Sequence, residues 1–391
     1  MDTPEIIFTC LGIGLLMICA ICSLFACAQA TTANKKEKKR QSDPKTQENG
    51  VVVIGGGRGG GDHQHPPTVN KIAAMPIETR KDDNYNADNL GGDDNRISGT
   101  SKSDHATDHF LREMSSTSPN RRRLLEDEFE VLSKTEAKRS TTRRGDGIAC
   151  AATRNDDANR YADIVPYEHT LVPLTRHHYI NASFVQGEGD AQRFIATQAP
   201  IGPEEKRKIS TVDEFWMMIM QYNVECIVML TDLFEDYTQK CAQYWPKTIG
   251  YRQKFGDVEV KLVAEAEMGH YIHREFDIFT STGTRQVSHF QFLNWKDNEA
   301  PNIPNFLDFL LKIRSRHYDS PVVVHCSAGI GRTGVFVCTD NIINRINNEG
   351  IIDVFSEVNR ARQQRPRMVH TLTQYIAIYD LIEAYLRLNK Q

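Results

Sequence analysis

Outside one apolar stretch the sequence has no CxxC pair, and that lack removes two classes of small stabilised domain. The nine cysteines form an early group, Cys10, Cys19, Cys22 and Cys27, and a scattered later one, Cys150, Cys226, Cys241, Cys326 and Cys338. Such spacings suit neither a zinc site nor a disulfide framework. No metal is expected, and the later cysteines read as free thiols of a reducing compartment. An excess of basic charge is missing too: 47 Lys and Arg against 51 Asp and Glu leave a net charge of −4, which gives no nucleic-acid footprint. There is no internal repeat, and nothing assigns an oligomeric state.

Charge of either sign is absent from Ile6 to Asn34. The apolar part, "IIFTCLGIGLLMICAICSLFACA" at 6–28, exceeds the roughly 20 residues a membrane helix needs. "KKEKKR" follows, while Asp2 and Glu5 precede. Positive charge stays on the cytoplasmic side. The expectation is therefore a single-pass membrane protein: a short extracytoplasmic N-terminus over 1–5, a transmembrane helix over 6–28, and the remainder in the cytoplasm. A signal peptide cut after Ala30 is the rival; it has the small-x-small pattern but lacks a basic n-region.

Large apolar residues are scarce between 29 and 120, so that stretch reads as a disordered cytoplasmic linker. It holds one decoy, "VVVIGGGRGGG" at 51–61, which formally contains GxGxxG. The next residues are "DHQHPPTVN" rather than an amphipathic helix, so no helix N-terminus is available for a pyrophosphate, and no organic cofactor is inferred.

Pattern returns at 121 and lasts to 391. Strand-like runs include "YINASFV", "RFIATQA", "CIVML", "VEVKLVAEA", "YIHREFDIF", "VSHFQFLNW" and "PVVVHC". Helical runs include "TVDEFWMMIMQYN", "NFLDFLLKIRSRH", "GVFVCTDNIINRINN", "VFSEVNRARQQ" and "TLTQYIAIYDLIEAYLRL". Strands before helices indicate one α/β or α+β domain over 121–391.

The chemistry concentrates in "PVVVHCSAGIGRTGVFV", residues 321–337. A strand ends at Cys326, and a loop of small residues leads to a helix beginning near Thr333. A thiol is a useful nucleophile only as thiolate, and a helix N-terminus with nearby positive charge favours that form. Backbone N–H groups of such a loop can face inward as an anion nest, and Arg332 adds a planar fork suited to two oxygens of a tetrahedral dianion. A buried structural cysteine under a glycine cap would explain the glycines, but leaves the arginine without a task. The residues read as a phosphate cradle with a nucleophile at its floor.

"HCSAGIGRTG" resembles the HCxxGxxR[ST]G signature of the protein tyrosine phosphatase family. The flanks "NRYADIVPYEHTLVPL", "HYINASFVQG", "FIATQAP", "KCAQYWP" and "MVHTLTQY" look like motifs of its tyrosine-specific members, in order. The resemblance implies a mixed, highly twisted central sheet flanked by helices, phosphotyrosine proteins as partners, and no cofactor. It further implies that Cys326 attacks phosphorus, while Arg332 and the amides of Ser327, Ala328, Gly329, Ile330 and Gly331 bind the phosphoryl oxygens. Thr333 would stabilise the leaving thiolate, Asp297 would act as general acid and then base, and Gln374 would position water. Tyr161 would wall a deep cleft, Asp163 would hold substrate backbone, and Glu235 would pair with Arg332, with His325 supporting the loop.

Departures fall in the moving parts. WPD is "WKD" here, so Lys296 replaces a fixed φ and sets a cation beside Asp297, favouring its ionised form. His370 stands where the family has the first water-orienting Gln; Ala158 replaces a usual Lys and Leu171 a common Arg. Two readings follow: a working protein-tyrosine phosphatase, of full or reduced activity, and as the alternative a catalytically weak domain that binds phosphotyrosine or scaffolds partners at a membrane.

Overall fold

The computed structural model describes residues 102–142, 150–187, 193–280 and 283–390. The helix expected over 6–28 and the glycine run at 51–61 lie outside the described residues. Among those described, no helix is long and apolar enough to cross a membrane.

Helices α1 (Lys102–Glu113), α2 (Arg121–Thr142) and the short α3 (Cys150–Arg154) come first. Strands β1 (Ala182–Val185) and β2 (Phe194–Thr197) follow, then helix α4 (Val212–Gln221) and strand β3 (Cys226–Met229). A two-residue hairpin joins β4 (Phe234–Glu235) to β5 (Thr238–Gln239). Strands β6 (Arg252–Phe255), β7 (Val258–Glu267), β8 (Tyr271–Thr280) and β9 (Gly283–Phe292) form a meander. Helix α5 (Ile303–Arg314), strand β10 (Val322–His325) and helices α6 (Gly331–Glu349), α7 (Val354–Gln364) and α8 (Leu372–Leu388) complete the chain.

Eight strands make one sheet in the order β1-β2-β10-β3-β9-β8-β7-β6. Its centre, β2-β10-β3-β9, is parallel, and the pairs on either side are antiparallel. Both faces are covered, which is why the central strands read as unbroken apolar runs. Side chains alternate along them. Phe194, Ala196, Cys226, Val228, Val322 and Val324 face the layer of α5 to α8, whereas Ile195, Ile227, Met229 and Val323 face the side of α4. Strand β10 thus lies between two cores and delivers its C-terminal end, His325 and Cys326, to one edge of the sheet.

The fold begins earlier than the sequence reading had it. Helix α1 occupies residues assigned to linker, and Phe110 is buried against Tyr379 of α8 with ring centroids 5.9 Å apart. Just beyond α1, Ser115 Oγ donates to Glu383 at 2.9 Å and the Ser116 amide at 2.7 Å. A polar helix of this composition is held by docking rather than by its own propensity.

Candidate active site

Helix α6 starts at Gly331, two residues before the sequence expectation, and Ile330 at its N-cap offers no side-chain cap. Its first N–H groups therefore face the loop from Cys326 to Ile330. Gly329 holds φ at +71°, and a Cβ there would lie 2.1 Å from the Thr197 carbonyl oxygen, so any side chain would break the approach of the loop to β2. Arg365, fully buried, donates from outside the loop to Gly329 O at 2.7 Å and Ala328 O at 3.1 Å. In a trans peptide N–H and C=O point opposite ways. Drawing these carbonyls outward turns amides inward, and Gly329 N donates to Cys326 Sγ at 3.3 Å.

Arg332 is buried beside the sulfur. Its Nη1 donates to Glu235 Oε1 at 2.5 Å and to Trp295 O at 2.7 Å, and Nη2 donates to Glu235 Oε2 at 3.3 Å. Burial works against its charge, yet Cys326, Glu235 and Asp297 hold the guanidinium above its ordinary range. Arg332 Nε and Thr333 Oγ1 are buried with no hydrogen-bond partner among the described residues. Two such donors beside a sulfur that already receives an amide make a site short of acceptor oxygens, which is what a phosphoryl group supplies.

Asp297 Oδ1 lies 3.4 Å from Arg332 Nη2, and Oδ2 accepts from Lys240 Nζ at 3.0 Å. Burial alone would raise its pKa; the charges of Arg332 and Lys240 win, and the carboxyl sits below the usual range. The sequence expectation had the direction but assigned it to Lys296, which is exposed. The cations that touch the carboxylate are Lys240, on the strand-like arm after β5, and Arg332. The loop itself is pinned: Trp295 Nε1 donates to Glu299 O at 2.8 Å, and Thr371 Oγ1 donates to Asn298 O at 3.3 Å.

The remaining candidates converge on the same rim. Ser327 Oγ donates its single proton to Lys240 O at 3.2 Å, so the 3.0 Å contact with Tyr161 Oη is a donation from the tyrosine. Asp163 is exposed but paired: Arg367 Nη1 is 2.5 Å from its Oδ2. Gln374 Oε1 accepts from the His370 amide at 3.0 Å and closes a capping box with Thr371, and a Cβ on Gly331 would meet the Gln374 amide at 2.8 Å. Val369 holds φ at +58°, an outlier for a β-branched residue, and persists because Arg362 binds Met368 O and Val369 O at 2.9 and 2.8 Å. His370 follows this locked segment and is exposed on one side; desolvation of the rest of the ring and the neighbouring charges of Arg367 and Arg362 keep its imidazole below the ordinary pKa. Behind the loop, burial holds His325 neutral, with its pKa lowered to about 4. Sequence reasoning singled out neither Lys240, Arg365 nor Arg367; only the lysine lay inside a motif already quoted, "KCAQYWP".

The protein-tyrosine phosphatase family model matches residues 155–384. Tyrosine-protein phosphatase 69D of Drosophila melanogaster is 36% identical over 249 residues, 58% of this chain and 17% of that protein. Human receptor-type tyrosine-protein phosphatase alpha is 38% identical over 254 residues, 61% of this chain and 30% of that protein. The match thus spans less than a third of either relative. A solved structure of PTPN18 in complex with HER2 phosphopeptides superposes with a TM-score of 0.65 at 26% identity, covering 72% of this chain and 99% of that one. Together with the geometry of the cysteine loop, these likenesses establish that the chain belongs to the protein-tyrosine phosphatase family.

Proposed function

We propose that the chain hydrolyses phosphotyrosine in proteins through a cysteinyl-phosphate intermediate. The observation that carries this reading is the Cys326 sulfur accepting an amide hydrogen while the neighbouring Arg332 Nε and Thr333 Oγ1 stay buried with no hydrogen-bond partner among the described residues. Arg332 and the amides of Ser327 to Gly331 hold the phosphoryl oxygens. Cys326 Sγ forms the S–P bond as the P–O bond to tyrosine breaks, and protonated Asp297 gives its proton to the departing oxygen. Asp297, now a carboxylate, takes a proton from water oriented by Gln374 and His370. The water oxygen bonds to phosphorus, the S–P bond breaks, and Thr333 steadies the released thiolate. Tyr161 sets the depth of the cleft and Asp163 meets substrate backbone. The phosphopeptide complex of the structural relative supports the substrate class.

Turnover of an aryl phosphate by the full chain tests the reading. Cys326→Ser is expected to abolish turnover and keep phosphotyrosine-peptide binding, whereas Arg332→Ala weakens both. Near-parental turnover by Cys326→Ser would overturn it.

The membrane assignment belongs to the same proposal: helix 6–28 anchors the protein with its phosphatase domain in the cytosol. It is supported by the charge-free run followed by "KKEKKR" and by the receptor-type relative. Protease protection in sealed vesicles tests it, and a mature lumenal protein beginning at Thr31 would contradict it.

A further inference from the structure

Behind the cysteine loop a row of polar groups crosses the core. Arg274 Nη1 on β8 is 3.4 Å from His289 Nδ1 on β9. Tyr244 Oη is 2.8 Å from His289 Nε2 and also 2.8 Å from His325 Nε2. His325 Nδ1 is 3.2 Å from the Cys326 carbonyl oxygen. His289, Tyr244 and His325 are fully buried, and Arg274 nearly so.

The ends of the row fix its direction. A guanidinium can only donate, a carbonyl can only accept, and a tyrosine hydroxyl has one proton. Arg274 therefore donates to His289 Nδ1, which is left without hydrogen, and His289 carries its proton on Nε2 and donates to Tyr244. The Tyr244 proton goes to His325 Nε2, so His325 carries its own proton on Nδ1 and donates to Cys326 O. The reverse order would set an N–H of His289 against the guanidinium and a lone pair of His325 against the carbonyl, replacing two hydrogen bonds by two repulsions inside a dry core.

The surroundings keep both rings neutral. Burial comes first for each; Arg274, His325 and His273 add to it at His289, and Arg160 and Arg332 add to it at His325, offset only in part by the bond to Cys326 O. Cys241 is the other ionisable neighbour of Tyr244. Arg274 is itself held by Glu265 at 2.5 Å and lies 4.6 Å from the Trp245 ring centroid. The same Nη1 donates to Gln291 Oε1 at 2.9 Å, Gln291 Nε2 donates to Thr231 O at 3.2 Å, and Thr231 Oγ1 donates to Glu235 Oε1 at 2.7 Å. Glu235 is the clamp on Arg332. One arginine, on a strand three places from β10 beyond β3 and β9, is thus the root of a row to the nucleophile and a row to the phosphate-binding fork.

We propose that Arg274 and His289 are positioning residues for the catalytic loop: their one-way donation holds His325 in the Nδ1–H tautomer that fixes the Cys326 peptide plane. The kinetic part of this inference rests on the phosphatase reading of Cys326; the tautomer part does not.

The test uses the full chain labelled with ¹⁵N at its histidine rings, with His289 and His325 assigned by single substitution. Two-bond ¹H–¹⁵N spectra between pH 6 and 8 should give opposite neutral tautomers, hydrogen on Nδ1 in His325 and on Nε2 in His289. Arg274→Met should blur the His325 pattern and lower kcat on an aryl phosphate about three- to tenfold, the range set by one hydrogen bond, with KM changed less than about twofold. His289→Gln, which can accept from Arg274 and donate to Tyr244, should keep the His325 pattern and kcat; His289→Leu should lose both. The same tautomer in both parental rings, or an unchanged His325 pattern and kcat in Arg274→Met, would overturn the inference. The parental spectrum decides even where a variant fails to fold. A parent with opposite tautomers and no turnover would count against the phosphatase reading alone.

Discussion

Lys240 Nζ lies 3.0 Å from Asp297 Oδ2, a charge-assisted contact across 57 residues of sequence. It opposes the duty proposed for Asp297, because a general acid must hold a proton and this carboxyl is kept below its usual pKa by Arg332 and Lys240 against the pull of burial. The protonated fraction falls as pH rises through a lowered pKa, so turnover of substrates that need the acid should decline from an already acidic optimum. Lys240→Met is expected to move the alkaline limb of the kcat profile to higher pH. A limb that does not move would mean that Arg332 alone sets the carboxyl.

Arg367 occupies Asp163, the carboxylate proposed to meet substrate backbone. Both partners are substantially exposed, so their pairing is worth about 0.2–1 kcal/mol. Arg367 also holds φ at +59°, which glycine adopts freely. Arg367→Gly should therefore lower KM for phosphopeptides by up to about fivefold and leave KM for a small aryl phosphate unchanged. Equal effects on both substrates would show that the ion pair does not compete with peptide.

Burial lowers the pKa of His325 from an ordinary 6.5 to about 4. Between those values the unfolded chain binds a proton that the folded one refuses, so stability rises with pH across that window and is lost as pH falls through it. The span corresponds to about 3 kcal/mol. Urea midpoints of the full chain from pH 7 to 4.5 should fall, and His325→Asn, although less stable at pH 7, should show a shallower slope. An equal slope would assign the acid sensitivity to other groups.

The cysteine loop was legible because its causes are local. The three valines of "PVVVH" form an unbroken apolar run since β10 is covered on both faces, and thiol, small residues and arginine follow directly between Cys326 and Arg332. Lys240 and Arg367 were illegible because each acquires its role from a partner far along the chain; Arg367 and Asp163 are 204 residues apart. Lys296 misled for the complementary reason: adjacency to Asp297 in sequence does not direct an exposed lysine toward the carboxylate. Helix α1 was read as linker because "KSDHATDHFLRE" has few apolar residues, and the burial of Phe110 against α8 is a tertiary event.

The central claim is a phosphoryl group carried by Cys326, and acid quench after rapid mixing reads it directly. The His370 amide donates to Gln374, and its imidazole is held below the ordinary pKa; in the role proposed for it, that ring orients water only in the right tautomer. The second chemical step should therefore be the slower one. Mixing the full chain with ³²P-labelled phosphotyrosine peptide should trap acid-stable label on the peptide bearing Cys326 within the first turnover, with a burst of released product and a slower steady rate. His370→Gln should shrink the burst and speed the steady phase. Product released in the first turnover with no label on Cys326, or label unchanged in Cys326→Ser, would contradict the account.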